Sequence, residues 1–361
     1  AYFQGLRRAF LQAGRPFRLT VPDWAENPLD LPLRELVHGI KRTASRIEEG
    51  PEQDELEGAG NTLGAYRESL GEAHSLGDPE AVYWLECGGV KGTIVHLRSA
   101  PLEVAGPLRE RLFERNTGLL LTSATLAEGP EMSSFKGKLG APEVAGQQVA
   151  SPFDYPLQME ILIHAGAPGP SETDNRLDPD FLAGEIGKLA LEVEGGSLVL
   201  FTSYRDLEAV GERLEGCLRC AGRELLQQGR GLGRRQLLER MREAGNAVLL
   251  GTDSFWTGVD LPGPALSQVV ITRLPFENPT HPVAEARAER CRQEGRSPFA
   301  ELVLPAALVK FRQGLGRLIR NQTDSGRLVI LDSRIFDKPY GRVFLDVLPH
   351  PGYRTIGGPI A

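Results

Sequence analysis

At 361 residues the chain is long enough for two domains, or one and a half, each with a core of its own. Its composition is ordinary globular, 41% hydrophobic and 25% charged, and no apolar run is long enough to span a bilayer. A formal charge of −7 excludes a global basic field that would advertise nucleic acid, although the sign is uneven: residues 6–90 are acidic and residues 301–361 basic.

Tyr2-Phe-Gln-Gly5 resembles the end of a protease-cleavable tag, so residues 1–5 are set aside, and the chain is expected to begin inside a longer reading frame. Residues 6–80 read as a helical and irregular segment. Leu33, Leu36, Val37, Ile40, Ala44 and Ile47 have helical spacing, and Tyr66 and Leu70 suggest another helix that ends by Gly77-Asp-Pro79. The acidic run Glu48–Glu57 is expected to be a solvated loop.

From residue 81 the period changes. Ala81–Leu85 and Thr93–Leu97 read as paired strands, followed by a helix over Leu108–Arg115 and a buried strand Gly118-Leu-Leu-Leu-Thr122. Beyond Ser151-Pro-Phe-Asp-Tyr155, short apolar strands alternate with helices. The strands are Ser197–Thr202, Ala247–Gly251, Gln268–Thr272 and Arg327–Asp332. The helices carry Leu207, Val210 and Leu214, with Ser203 as cap, and then cover Gln236–Arg242, Pro282–Glu294 and Phe299–Ile319. That alternation predicts an α/β fold with a parallel sheet covered on both faces.

The cysteines Cys87, Cys217, Cys220 and Cys291 are too few and too scattered for a disulfide framework, and a reducing compartment is inferred. Cys217-Leu-Arg-Cys220 has the spacing of a metal knuckle but no second pair to complete a site, which makes them incidental thiols near a helix end.

Three stretches carry chemistry. In Gln313-Gly-Leu-Gly-Arg-Leu-Ile-Arg320, Arg317 and Arg320 fall on one side of a predicted helix, with Gln313 four residues before Arg317. Guanidinium groups suit the charge that builds on a transferring phosphoryl group, where one finger is worth roughly 10³–10⁵ in rate. Gly314 and Gly316 would admit a close approach of backbone or nucleotide, at about 1 kcal/mol each relative to alanine. Gly251-Thr-Asp-Ser-Phe-Trp-Thr-Gly-Val-Asp260 follows a strand, where sheet ligands bind; alone, it fits an acidic turn anchored by Phe255 and Trp256 equally well. Thr122-Ser-Ala-Thr-Leu126 again ends a strand in hydroxyls.

Taken together with Leu198-Val-Leu-Phe-Thr-Ser203, the order and spacing of these runs resemble motifs III, IV, V and VI of the DinG branch of XPD/Rad3-like, superfamily 2 DNA helicases. Ser151-Pro-Phe-Asp154, Arg273-Leu-Pro-Phe276 and Leu331-Asp-Ser-Arg334 match as well, so the resemblance covers about residues 80–345. It implies two RecA-like motor domains with ATP and Mg²⁺ between them, moving 5′ to 3′ on single-stranded or forked DNA in repair or replication, in the bacterial cytoplasm. Arg317, Arg320 and Gln313 would serve the γ-phosphate, with Gly258, Asp260 and Gly316 lining the nucleotide cleft. Ser123, Thr125, Thr202, Ser203, Thr252 and Ser254 would touch DNA or couple hydrolysis to movement.

The sequence departs from the family pattern in two ways. Thr257 stands where a glutamate is usual. No Gly-Lys-Ser/Thr triplet and no Asp-Glu-x-His box occur, so the phosphate cradle and Mg²⁺ site are not in this chain. The expectation is therefore a helical insertion-like segment (6–80), the returning part of the first motor domain (81–150) and a second RecA-like domain (151–361), unable to hydrolyse ATP without the missing N-terminal motor domain of the same protein. An iron–sulfur cluster is allowed in such a parent, upstream of this chain, and none of the four cysteines is assigned to it. The alternative is a non-enzymatic module derived from a motor domain that binds single-stranded nucleic acid or a partner.

Overall fold

The structure, a computed structural model, describes residues 2–11, 15–88, 93–115, 117–123, 132–171, 173–261, 263–277 and 279–358. The chain divides into two compact units, one formed by residues 1–119, 136–143 and 278–298, the other by residues 120–135, 144–277 and 299–361.

In chain order the first part forms α1 (Tyr2–Phe10), β1 (Phe17–Leu19), α2 (Asp30–Ala44), α3 (Pro51–Ser75), β2 (Ala81–Gly88), β3 (Ile94–Pro101), α4 (Ala105–Leu108) and α5 (Ser133–Lys138). The tag-like residues from Tyr2 to Gly5 belong to α1, and the Tyr2 hydroxyl lies 2.7 Å from His74 Nε2. Strand β2 pairs antiparallel with both β1 and β3, and Leu19, Tyr83 and Leu85 bury against Leu6, Leu11 and Ala73. The acidic run is only partly a loop. Pro51 occupies the first turn of α3, and Glu52 and Asp54 lie at its positive end, so helix is favoured there over coil. The strand expected over Gly118–Thr122 is absent. That stretch is irregular, Leu120 is 85% exposed, and a strand needs a neighbour to take its backbone groups.

The second unit is built on one seven-stranded, all-parallel sheet. Its elements begin with α6 (Tyr155–Gln158), β4 (Met159–His164), α7 (Pro179–Leu191), β5 (Ser197–Leu200), α8 (Tyr204–Cys220) and β6 (Leu225–Gln227). They continue with α9 (Arg234–Ala244), β7 (Val248–Gly251), α10 (Asp253–Trp256) and β8 (Gln268–Ile271). Helix α11 (Pro282–Gln293) belongs to the first unit, where Ala286 buries against Val82 and Trp84. The chain then adds α12 (Leu304–Leu315), β9 (Gly326–Ile330), α13 (Arg334–Asp337), α14 (Gly341–Asp346) and β10 (Tyr353–Ile356).

The strand order is β10-β4-β9-β8-β5-β7-β6. The central strands are apolar on both faces because both are covered. Val199, Val248, Leu250, Val270 and Val329 face a core shared with α7 and α8. Leu198, Leu200, Leu249, Ile271 and Ile330 face another made with Leu237 and Met241 of α9, Phe255 and Trp256 of α10, and Phe311 and Leu315 of α12. Ser203 caps α8 as expected, its Oγ accepting from the Asp206 backbone N–H.

Helix α12 stops earlier than its apolar period suggests. It ends at Leu315 with Gly316 as the cap, so Arg317 and Arg320 lie in the turn beyond it rather than on a helix face. Gly314 also has a different role from the one expected. A Cβ there would stand 3.0 Å from the Trp256 ring, so this glycine admits the indole, not a nucleotide.

Candidate functional site

The loop that follows β7 is the centre of the site. Thr252 is buried at the strand's end, and its N–H and hydroxyl both donate to Gln228 Oε1, at 2.7 and 3.1 Å. The Gln228 amide donates in turn to Ser254 Oγ at 3.1 Å and to the Tyr204 hydroxyl. One glutamine thus ties Thr252 and Ser254 to the first residue of α8, next to the half-buried Thr202 and Ser203 at the end of β5.

Phe255 and Trp256 are fully buried, and the Trp256 indole N–H donates to the Phe201 carbonyl at 3.0 Å. They anchor the loop and are excluded as stacking platforms for bases. Lys310 lies over the Trp256 ring, 5.6 Å from its centroid, and pairs with Asp253. Beyond the anchor the chain turns at Gly258, whose φ of +62° is a left-handed value that a side chain tolerates poorly.

Carbonyl oxygens of this loop are taken by arginines. Arg317 donates through Nε to its own turn at Gln313 O (2.7 Å) and through Nη1 to Val259 O (3.2 Å). Arg320 donates through Nη2 to the same Val259 carbonyl, and its Nη1 lies 3.8 Å from the exposed carboxylate of Asp260. Asp324 fixes the turn by accepting from the backbone N–H groups of Arg320 and Asn321, at 2.8 and 3.0 Å. Arg242 of α9 donates to the Asp260 carbonyl at 2.8 Å. Arg234, at the start of α9, donates to the carbonyls of Ser254, Thr257 and Gly258.

This cluster has more positive charge than its neighbours offset. Burial draws the Arg317 pKa below the usual guanidinium value, and Arg320 and Arg234 push in the same direction against Asp260. Arg320 Nε is buried with no hydrogen-bond partner. Unpaired donors on a charged group are costly, and an anion with oxygens to spare would satisfy them.

The sequence-expected residues are therefore only partly assembled. Arg317, Arg320, Gly258 and Asp260 converge, with Gln313 supplying a carbonyl and Gly316 exposed beside them. Thr252 and Ser254 are bonded to Gln228, and Thr202 and Ser203 immediately precede Tyr204, which the same side chain contacts. Ser123 sits on the exposed irregular stretch, and Thr125 lies outside the described residues. Gln228, Arg234, Arg242 and Asp324 were not singled out from sequence. Arg234 had one signal: with Arg235 it puts two cations in the first turn of a helix, the end that disfavours them. Among the described residues no three His, Cys, Asp or Glu side chains converge to hold a metal ion.

The site is thus a loop at the C-terminal end of a parallel strand whose carbonyls are held by arginines from α9 and from the turn after α12. Residues 186–351 match the helicase C-terminal domain family. The chain is 35% identical over 304 residues to a Bacillus subtilis (strain 168) protein named 3′-5′ exonuclease DinG, covering 82% of this chain and 32% of that protein. It is 35% identical over 290 residues to the ATP-dependent DNA helicase YoaA of Escherichia coli (strain K12), covering 80% and 44%. A solved XPD helicase superposes over 98% of this chain and 60% of its own, with a TM-score of 0.61 at 18% identity, which shows a shared fold. The chain carries a helicase C-terminal domain and is a relative of the DinG and YoaA helicases. It spans from a third to somewhat under half the length of these two relatives.

Proposed function

We propose that this chain supplies the arginine-bearing half of an ATP-dependent DNA helicase motor that travels 5′ to 3′ on single-stranded or forked DNA. The observation that carries the reading is the convergence of Arg317 and Arg320 on one carbonyl, Val259 O, with Arg320 Nε buried and unpartnered. In the resting arrangement the pair leans on a neutral oxygen. A terminal phosphate is the better acceptor, because hydrogen bonds between charged partners are roughly twice as strong as neutral ones. As charge spreads over the equatorial oxygens in phosphoryl transfer, the two fixed guanidinium groups would stabilise it most at the transition state.

ATP with Mg²⁺ would be presented by a motor domain that is not among these residues, and Arg317 and Arg320 alone would not turn it over. The exposed Ser254 and the half-buried Thr202 and Ser203 would face the nucleic-acid backbone, while the buried Thr252, held by Gln228, would couple them to the arginines through the Phe255–Trp256 anchor. The DNA assignment rests on the names of the relatives, and an iron–sulfur cluster, if the parent carries one, would lie outside this chain.

The test is single-strand-stimulated ATP hydrolysis by the full-length parent, beside its Arg320→Ala form and the 361-residue chain. Loss of roughly 10³-fold or more in turnover with single-strand affinity retained is expected for Arg320→Ala, and no turnover for the chain alone. Unaltered turnover with lost DNA binding would refute the finger assignment. An inert parent would make the chain part of a nucleic-acid or partner-binding module instead.

A further inference from the structure

Helix α9 begins with an electrostatic fault. Its first turn contains Arg234 and Arg235 and no acidic residue, although unpaired N–H groups make that end positive and disfavour cations there. Arg235 has a local remedy in Glu239, one turn on, with its own side chain 91% exposed. Arg234 has no carboxylate partner among the ion pairs of the described residues. Its guanidinium turns back across the β7 loop instead. Nε donates to Ser254 O at 3.0 Å and Nη2 to Thr257 O at 2.9 Å and to Gly258 O, while the planar group lies 5.7 Å from the centroid of the buried Phe255 ring.

The loop is shaped to receive it. A Cβ on Gly258 would stand 2.9 Å from Arg234 Nη2 and would push it aside, while the left-handed φ of the residue itself favours glycine. Arg242, two turns further along α9, holds the next carbonyl but one, that of Asp260. The carbonyl between them, Val259 O, is the one on which Arg317 and Arg320 rest. Fixing the peptides on either side fixes the direction of that oxygen.

We propose that Arg234 is a positioning residue: the guanidinium clasps the β7 loop, aims the Val259 carbonyl and thereby sets where the Arg317–Arg320 pair waits. The role needs a planar fork. A lysine carries the same charge but, with a single rotating ammonium on a flexible stem, cannot hold three carbonyls in one plane and stack on Phe255 together. The clasp is a property of this loop by itself, and its bearing on phosphate binding rests on the function proposed above.

The 361-residue chain tests it without nucleotide, by hydrogen exchange over residues 252–260 in Arg234→Ala, Arg234→Lys and Arg235→Ala. Both Arg234 variants should exchange that segment about tenfold faster or more, with exchange in β5 and β8 unchanged; Arg235→Ala should match the parent sequence. Affinity for inorganic tripolyphosphate gives the second readout, expected to weaken several-fold in both Arg234 variants. Full protection and full affinity in Arg234→Lys would show that charge alone matters and overturn the clasp. Unchanged exchange in Arg234→Ala would overturn it outright. Faster exchange with no tripolyphosphate binding by any form, the unsubstituted chain included, would leave the clasp standing and count against the phosphate reading.

Discussion

Gly258 and Trp256 show how much of the site depends on single side chains. At Gly258 the backbone is left-handed and an arginine nitrogen occupies the space a methyl would need. Gly258→Ala should lower unfolding stability by about 1–2 kcal/mol from the dihedral alone. It should also release Arg234, so the loss in denaturant titration ought to come with faster exchange in the loop. Trp256 is fully buried and its N–H satisfies the Phe201 carbonyl at the end of β5. Trp256→Phe leaves that carbonyl without a donor and opens a small cavity, for an expected loss of about 2–3 kcal/mol. A cost below about 1 kcal/mol would mean the indole is not the loop's anchor.

At the scale of elements, the two caps on neighbouring helices separate structure from function. Asp178 caps α7 with two good bonds, accepting from Asp180 N–H at 3.0 Å and Phe181 N–H at 3.1 Å. Asp178→Ala should cost about 1 kcal/mol by thermal or denaturant unfolding and leave nucleic-acid affinity alone. Ser203 caps α8 through one long bond of 3.4 Å. Ser203→Ala should therefore cost less than the Asp178 change, and a several-fold loss of single-strand affinity in a salt titration would mark its hydroxyl as a contact.

The strands were legible because a fully covered parallel strand is a short, continuous apolar run, as in Val248–Gly251 and Gln268–Ile271. The end of α12 was not, because Leu318 and Ile319 continue the apolar period after the helix has stopped at Leu315; both are buried in the same core from the turn. The leucines of Gly118–Thr122 misled in the opposite sense: an apolar run is a strand only where a sheet accepts it, and among the described residues none does.

For the molecule as a whole, acidity should act through buried imidazoles. His164 ends β4 with the Gly357 backbone pressed against its ring, Phe181 edge-on at 5.1 Å, and Glu185 and Lys188 of α7 nearby. Burial lowers its pKa, Glu185 opposes that and Lys188 adds to it. A base whose folded pKa lies below its unfolded value of about 6.5 refuses a proton that the unfolded chain accepts. Its contribution is present at neutral pH and is lost as pH falls through the mid-6 range towards the folded pKa. The denaturant midpoint of the second unit should therefore fall between pH 8 and 5.5, and His164→Gln should flatten that fall. His74, also lowered by burial, resides in the first unit and serves as a separate reference.

The amino-acid sequence by itself determined the α/β class, the β5, β7, β8 and β9 strands, the cap of α8 and the order of the polar runs that end them. These are local matters: periodicity, turn chemistry and residue type within a few positions. Only the tertiary structure decided that Arg317 and Arg320 share one carbonyl, that Gly314 exists for Trp256, and that Gln228, Arg234 and Arg242 join the site. Those pairings span up to about sixty residues of chain. They depend on the order in which seven strands lie side by side, because that order alone brings the start of α9 beside the loop after β7.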